Sequence, residues 1–173
     1  MMFAHVLVRK VRTLVRCERG GALAELAIMV PFLVLMLAAV TEIGRYFQTY
    51  TTLAKGTRSA ARYLSNHSLN KQEIDRAVNL VVCGKLTCAS GEELIKGYGS
   101  GANFTAANVC VETATNSITV RVPRNADCAP IANAPAGNPY NYQPIFNIGA
   151  LLGTGFRFDL PLAPRTTMWR IPV

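Results

Sequence analysis

Histidine is almost absent from this chain, which has 173 residues and only two of that type, His5 and His67. A zinc site built from histidines, or a serine nucleophile activated by histidine, would have to use one of these two, and His5 lies in the basic opening. His67 precedes Ser68 and is typical of a solvated helix end. Phosphate-loop and dinucleotide-binding fingerprints are also missing from the sequence. The sequence therefore predicts no enzyme, no cofactor and no metal site.

Charged residues are scarce as well. They make up 16% of the chain, half of the residues are apolar, and the mean hydropathy is +0.22. This composition excludes a disordered chain and favours association with a membrane. Half of the net charge of +8 comes from residues 1–20, whereas residues 66–173 are nearly balanced and contain no basic stripe. The charge distribution therefore predicts no nucleic acid as a partner.

A long apolar stretch follows the basic opening. Residues 26–40 contain no charged side chain, and with their flanks they form an apolar segment over residues 21–43. About 20 apolar residues in a helix cross the hydrocarbon core of a bilayer. The segment predicts the lipid bilayer as a partner and a single membrane span, with Pro31 as a kink inside it.

The helical pattern continues beyond this span. Apolar and small side chains recur at intervals of three and four residues, which is typical of one face of a helix. The pattern predicts one continuous helix over residues 21–65. Its apolar face consists of Ile43, Tyr46, Phe47, Tyr50, Leu53, Ala54, Thr57, Ala60, Ala61 and Leu64.

Two interpretations of this helix remain open. In the first, it is a plain single-pass anchor whose aqueous half packs on its own globular domain. In the second, it packs against other helices, because Glu25 lies in the apolar segment, where an unpaired carboxylate costs about 3 kcal/mol. The residues around Glu25 also favour the second interpretation, since small side chains let helix backbones approach closely. These residues are Gly20, Gly21, Ala22, Ala24 and Ala27.

Four of the five cysteines lie after the span, and Cys17 lies before it. The four allow three pairings. Cys83 with Cys88 and Cys110 with Cys128 is the favoured pairing, because the first two are close in sequence. Buried free thiols and zinc are alternatives, although the spacing fits zinc poorly. Disulfides predict a domain outside the cytosol.

The chain after the long helix has short helix and strand patterns. Asn70 and Glu73 predict a capped helix that ends near Val82. Residues 109–113 and 117–122 predict two strands joined by a hairpin turn.

The last third of the chain adds two further predicted strands, at residues 155–160 and 167–171. Five prolines in residues 123–144 exclude regular structure there. The sequence as a whole predicts an α+β fold, with a long N-terminal transmembrane and amphipathic helix and a small antiparallel-sheet domain.

Three motifs follow one another along the N-terminal third. Residues 20–31 combine small residues, a glutamate, an apolar run and a proline. Residues 42–47 read Glu-Ile-Gly-Arg-Tyr-Phe, and residues 55–64 are rich in alanine and end in Ala-Arg-Tyr-Leu. In their order and spacing these motifs resemble the TadE-like proteins of tight-adherence (Flp) pilus assembly systems.

The resemblance implies a set of site residues in the long helix. Prepilin-like processing would cut between Gly20 and Gly21, which removes a basic leader of residues 1–20 and leaves Glu25 as the fifth residue of the mature chain. The free amine of Gly21 would pair with Glu25 of the same or a neighbouring subunit. The residues implied in helix assembly are Glu25, Pro31, Glu42, Gly44 and Arg45.

The resemblance also implies a role and a location. The chain would be a minor pilin or pseudopilin without enzymatic activity, with a pilin-like arrangement of residues 21–65 as the helix and 66–173 as the globular domain. Its partners would be other pilins, a prepilin peptidase and the inner-membrane pilus assembly platform. The protein would lie in a bacterial inner membrane with its N-terminus cytoplasmic and its C-terminal domain periplasmic. A membrane-anchored extracytoplasmic enzyme and an unprocessed scaffold or sensor are the alternatives.

Overall fold

The structure of the protein is a computed structural model, and it describes residues 18–97, 102–146, 153 and 159–170. The described residues form two helices, α1 (Glu18–Ser65) and α2 (Lys71–Val82). A three-stranded antiparallel sheet contains β1 (Cys110–Ala114), β2 (Ser117–Arg121) and β3 (Arg165–Trp169), in that order. The α+β fold that the sequence predicts, with a long helix and a small sheet, is confirmed.

The chain divides between Thr41 and Glu42 into two compact units. In the first unit, the described residues belong to α1, and their large apolar side chains are 44% to 77% exposed, apart from the partly buried Leu35. Pro31 lies inside α1 without ending it. A helix that is apolar all round needs an apolar surrounding, which either a bilayer or other helices supply.

In the second unit, α1 has one buried face. Leu53, Thr57, Ala60 and Leu64 are fully buried, at the spacing of three and four residues that the sequence predicts. Gly56 lies where α1 meets α2, since a Cβ built at this glycine would be 3.0 Å from the Cα of Val81. The small residues of α1 therefore let the two helices pack closely.

The helix α2 begins at the cap that the sequence predicts. The side chain of Asn70 accepts a hydrogen bond from the backbone N–H of Glu73 at 2.9 Å, and α2 ends at Val82. The Glu73 carboxylate accepts hydrogen bonds from Tyr63 of α1 and, at 3.0 Å, from Arg76. The hydrogen bond from Tyr63 links the end of α1 to the start of α2.

The hairpin of β1 and β2 closes with a two-residue turn, because Ala114 pairs with Ser117. The third strand runs antiparallel to β2 and pairs Arg121 with Arg165. It begins two residues before the strand predicted at 167–171. The strand predicted at 155–160 lies mostly outside the described residues. Within the described chain, the region predicted to be irregular, residues 123–144, contains only an isolated bridge between Asn141 and Pro161.

One hydrophobic core joins the helices and the sheet of the second unit. Its fully buried members include large residues from α1, α2, both hairpin strands and the loops beside them. They are Leu53, Leu64, Ile74, Val81, Phe104, Val109, Val111, Ile118, Val120 and Leu162.

Candidate functional site

The predicted cleavage point lies near the first described turn of α1. Gly20 and Gly21 are both helical, and a Cβ built at Gly21 would meet no atom within 4 Å. Glu25 follows Gly21 by four residues, so the two lie on the same side of the helix, one turn apart. The Glu25 side chain is exposed and has no hydrogen-bond or ion-pair partner among the described residues. Its carboxylate is therefore available to a group outside the described chain.

A second glutamate of the same helix has the opposite environment. Glu42 begins the second unit, and only 2% of it is exposed. Its Oε2 atom accepts a hydrogen bond of 2.6 Å from the hydroxyl of Tyr142. Its Oε1 atom accepts hydrogen bonds of 2.8 Å from the backbone N–H groups of Ile145 and Phe146. Three donors from one loop therefore offset the cost of burying this carboxylate.

A cation lies beside the buried carboxylate. Arg45, one turn along α1, has a guanidinium nitrogen 3.8 Å from Oε1 of Glu42. The Glu42 and Arg45 pair of the motif at residues 42–47 therefore joins α1 to the loop that carries Tyr142. Within the described residues, these two motif residues form an intrachain contact.

Tyr142 is held in place from two sides. Its backbone N–H donates to the carbonyl of Leu160 at 2.8 Å, in the short pairing around the bridge of Asn141 and Pro161. Its ring lies edge-on to the ring of Tyr46, with the centroids 5.6 Å apart. Sequence reasoning missed this residue because it lies in a proline-rich segment without periodicity. The only signal was an aromatic pair, Tyr140 and Tyr142, in an otherwise small and polar stretch.

Tyr140 anchors the same loop from inside the core. It is 6% exposed, and its ring lies edge-on to Phe104 with centroids 5.2 Å apart. Its hydroxyl donates to the carbonyl of Ala102 at 3.3 Å. Burial raises the pKa of Tyr140 above its ordinary value. The irregular loop is therefore fixed at two aromatic points.

Gly44 and Gly56 of α1 differ in their surroundings. The Gly44 position is open, because a Cβ there would meet no atom within 4 Å. A Cβ at Gly56 would come within 3.2 Å of the carbonyl oxygen of Val81. Packing inside the chain thus explains the glycine at 56 but not the glycine at 44.

Two disulfides join the four cysteines of the second unit. One links Cys83 to Cys88 at the end of α2, and the other links Cys110 of β1 to Cys128. Gly137 passes directly over the second disulfide in a left-handed conformation, with φ of 68°. A Cβ at this glycine would be 2.7 Å from the sulfur of Cys128, so only glycine fits.

An ion cluster lies beside the second disulfide. Arg121 donates to the carboxylate of Glu112 at 2.7 Å and to that of Asp127 at 3.1 Å. The Arg121 guanidinium holds the pKa of Glu112 below its ordinary value, and the backbone N–H of Ala129 acts in the same direction. The cluster ties the segment around Cys128 to the hairpin. The sulfurs of Cys110 and Cys128 and a carboxylate oxygen of Glu112 lie within 4.8 Å of one another. Because these sulfurs form a disulfide and are not thiolates, the three residues are a structural link rather than a set of metal ligands.

The fold and these residues define a class of protein. The chain combines one exposed apolar helix, long and apolar enough to cross a membrane by its length and composition, with a compact disulfide-bonded α+β unit. Such a helix fits a membrane anchor.

A family comparison is consistent with this class and makes it more specific. The family model described as TadE-like protein matches residues 20–62, about a quarter of the chain. The resemblance that the sequence motifs indicate is therefore confirmed over this segment, and it suggests a role in Tad pilus assembly. Searches of the curated proteins and of the solved structures find no match.

Proposed function

We propose that this protein is a structural component of a Tad/Flp pilus system, a minor pilin or pseudopilin inserted in the bacterial inner membrane. The observation that carries the proposal is the match to TadE-like proteins over residues 20–62, which coincides with the exposed apolar part of α1 and the turns that follow it. The role we propose is structural rather than enzymatic, because the TadE-like family that this segment matches is a structural, pilus-associated one.

The membrane insertion is argued from the length and exposure of the helix. Its most apolar 18-residue window has a mean hydropathy of 2.5, and none of that window is buried within the chain. A soluble core helix of this composition would be covered by other parts of its own fold. We therefore place the apolar part of α1 in the bilayer, with the prepilin-like leader of residues 1–20 on the cytoplasmic side.

The assembly role is argued from Glu25. Its carboxylate has no partner among the described residues, and an unpaired carboxylate in hydrocarbon is costly, so it needs a counter-charge from elsewhere. Cleavage by a prepilin peptidase between Gly20 and Gly21 would create a free amine one helical turn away. The same amine on a neighbouring pilin is an equally suitable partner, and pairing between subunits would set their register.

The location of the globular domain is argued from its sulfur chemistry. Both disulfides lie in the second unit, and disulfides persist in oxidising compartments such as the periplasm. With the leader in the cytoplasm, a single span would place residues 66–173 in the periplasm, where other minor pilins and the assembly platform would be in reach.

A substitution at Glu25 tests the assembly role. In cells that produce the pilus, Glu25→Ala should strongly reduce the pili recovered by shearing, while the protein remains in the membrane fraction with its disulfides formed. Leu26→Ala is the matched control, since Leu26 is also an exposed residue of α1, and it should leave pilus yield unchanged. Wild-type pilus yield and processing in the Glu25→Ala strain would overturn the assembly role.

N-terminal sequencing of the membrane-purified protein tests the processing. A mature chain that begins at Gly21 supports the prepilin-like interpretation. A chain that still begins at Met1 would contradict it and would favour an unprocessed anchor or scaffold.

A further inference from the structure

Ile145 and Phe146, whose backbone is bound by the buried Glu42, have exposed apolar side chains. The backbone N–H groups of Ile145 and Phe146 both donate to Glu42 at 2.8 Å, so the loop is pinned at this point. The side chains of the two residues nevertheless point outward, being 46% and 49% exposed. The Glu42 carboxylate fixes the backbone of this loop, and the loop exposes Ile145 and Phe146. These two side chains therefore form an ordered apolar surface.

Exposed apolar side chains also lie on the turns of α1 beside Glu42. Ile43 is 45% exposed and Phe47 is 60% exposed, and both lie within about one and a half turns of Glu42. We call the four residues Ile43, Phe47, Ile145 and Phe146 the apolar collar. All four belong to the second unit.

Basic side chains lie at the same level of α1 as the collar, on the opposite face of the helix from Ile43 and Phe47. A cavity of about 170 Å³ on the same part of α1 is lined by Arg45 and Lys96, together with the polar side chains of Gln48, Thr49 and Thr52. Arg45 is also the ion-pair partner of Glu42. Cations at the same depth as aromatic and aliphatic side chains are the combination found where proteins meet the headgroup region of a bilayer.

The position of the collar in the chain identifies what covers it. Glu42 is the first charged residue after the apolar run of residues 26–40, so the collar begins where that run ends. Insertion into lipid at this level therefore buries the apolar side chains of the collar.

We infer that the apolar collar inserts into the interfacial region of an anionic phospholipid bilayer, with Arg45 and Lys96 facing the lipid phosphates. The inference rests on the proposed membrane insertion of α1. In this arrangement Glu42 lies at the edge of the membrane but is covered by its three donors. The loop with Ile145 and Phe146 then binds the second unit to the bilayer surface and restricts its motion relative to the membrane.

Tryptophan fluorescence in nanodiscs containing brominated anionic lipid tests the inference with the full chain. Trp169, the only native tryptophan, is replaced by phenylalanine, and single tryptophans are introduced as Phe146→Trp and, as a second probe, Ile145→Trp. Val34→Trp is the control for the membrane span. Leu86→Trp is the control for an exposed apolar residue elsewhere, since Leu86 is 42% exposed.

Leu86 is distant from the collar along the helix. Its carbonyl accepts a hydrogen bond from Asn79 of α2, and the nearby Val81 meets Gly56. Gly56 lies fourteen residues beyond Glu42 in α1, about 21 Å at roughly 1.5 Å per residue.

The expected result is a blue-shifted emission and strong quenching by brominated lipid at positions 34, 145 and 146, and neither effect at position 86. Lys96→Gln should reduce the quenching at 146 in anionic lipid and leave the quenching at 34 unchanged. Quenching at 34 without quenching at 145 and 146 overturns the inference but leaves the proposed function intact.

Three other outcomes also overturn the inference. A blue shift at 146 without quenching means that a second copy, not lipid, covers the collar. Equal quenching at 146 and 86 means that the domain contacts lipid without a defined docking surface. Absence of quenching at position 34 overturns the membrane insertion itself and the inference with it.

Discussion

The hydroxyl of Tyr142 has a specific task, because it supplies one of the three donors to the buried carboxylate of Glu42. Tyr142→Phe keeps the ring against Tyr46 but leaves Glu42 short of one hydrogen bond. We expect a loss of about 1–3 kcal/mol in the free energy of unfolding, since the carboxylate stays buried. Urea unfolding of the detergent-solubilised chain, followed by circular dichroism, measures this loss.

A matched control is available on α1. Tyr50→Phe also removes a hydroxyl, but from a side chain that is 38% exposed. It should change the unfolding midpoint little. Equal effects of the two substitutions would contradict the role assigned to Tyr142.

Glu112 makes the stability of the second unit depend on pH. Its pKa is lowered in the folded chain, mainly by the hydrogen bond from Arg121. The stabilisation is therefore fully present above the unfolded-state pKa of about 4.3 and is lost as the pH falls through the lower folded value. Glu112→Gln should reduce the stability at neutral pH and flatten its dependence on pH below about 4.3.

Thermal unfolding of the wild type and Glu112→Gln across this pH range checks the prediction. Asp75→Asn is the control, since Asp75 is an exposed carboxylate on α2. A pH profile that is unchanged by Glu112→Gln would show that the ion cluster with Arg121 does not contribute to the acid sensitivity.

At the scale of elements, Gly44 and Gly56 of α1 allow packing within the chain to be tested apart from packing against other subunits. Gly56→Ala places a Cβ 3.0 Å from the backbone of α2. Because a helix backbone cannot move aside as the tip of a side chain can, this substitution should lower the free energy of unfolding by about 1–3 kcal/mol. Gly44→Ala meets nothing and should stabilise the helix by about 0.5–1 kcal/mol.

The same pair of variants tests how pilus assembly uses α1. If neighbouring helices approach Gly44, as the resemblance to TadE-like proteins implies, Gly44→Ala should fold normally and yet reduce the pili recovered from cells. Normal pilus yield with Gly44→Ala would show that this glycine is not at a subunit contact. Denaturation midpoints and sheared-pilus yields of both variants provide the two measurements.

The regular elements were predictable because each has a local signal. The period of α1, the cap at Asn70 and the alternation of β2 all depend on neighbours within a few residues, and the structure has these elements close to the predicted bounds. The pairing of β3 with β2 joins segments more than forty residues apart, so its register could not be predicted from either strand alone.

The contacts of Glu42 were not predictable for a related reason. Its motif resembles a family signature, but nothing in the sequence links residue 42 to donors about a hundred positions later. Those donors include two backbone N–H groups, which any residue type provides. By contrast, the sequence alone places Glu25 on an apolar helix, and the structure shows its side chain exposed there.

At the scale of the whole molecule, the two units have different sources of stability. The second unit has its own core, two disulfides and an ion cluster, whereas the first leaves its apolar side chains exposed. The N-terminal half of α1 therefore needs contacts with lipid or with other subunits to cover its apolar side chains. The proposed bilayer and sister subunits provide those contacts, before and after assembly.

The central claim is that the chain is required to build a pilus, and pilus yield tests it most directly. We predict that deletion of the gene abolishes or sharply reduces the pili sheared from cells, and that the wild-type gene restores them while the Glu25→Ala gene does not. Wild-type numbers of pili in the deletion strain would contradict the account.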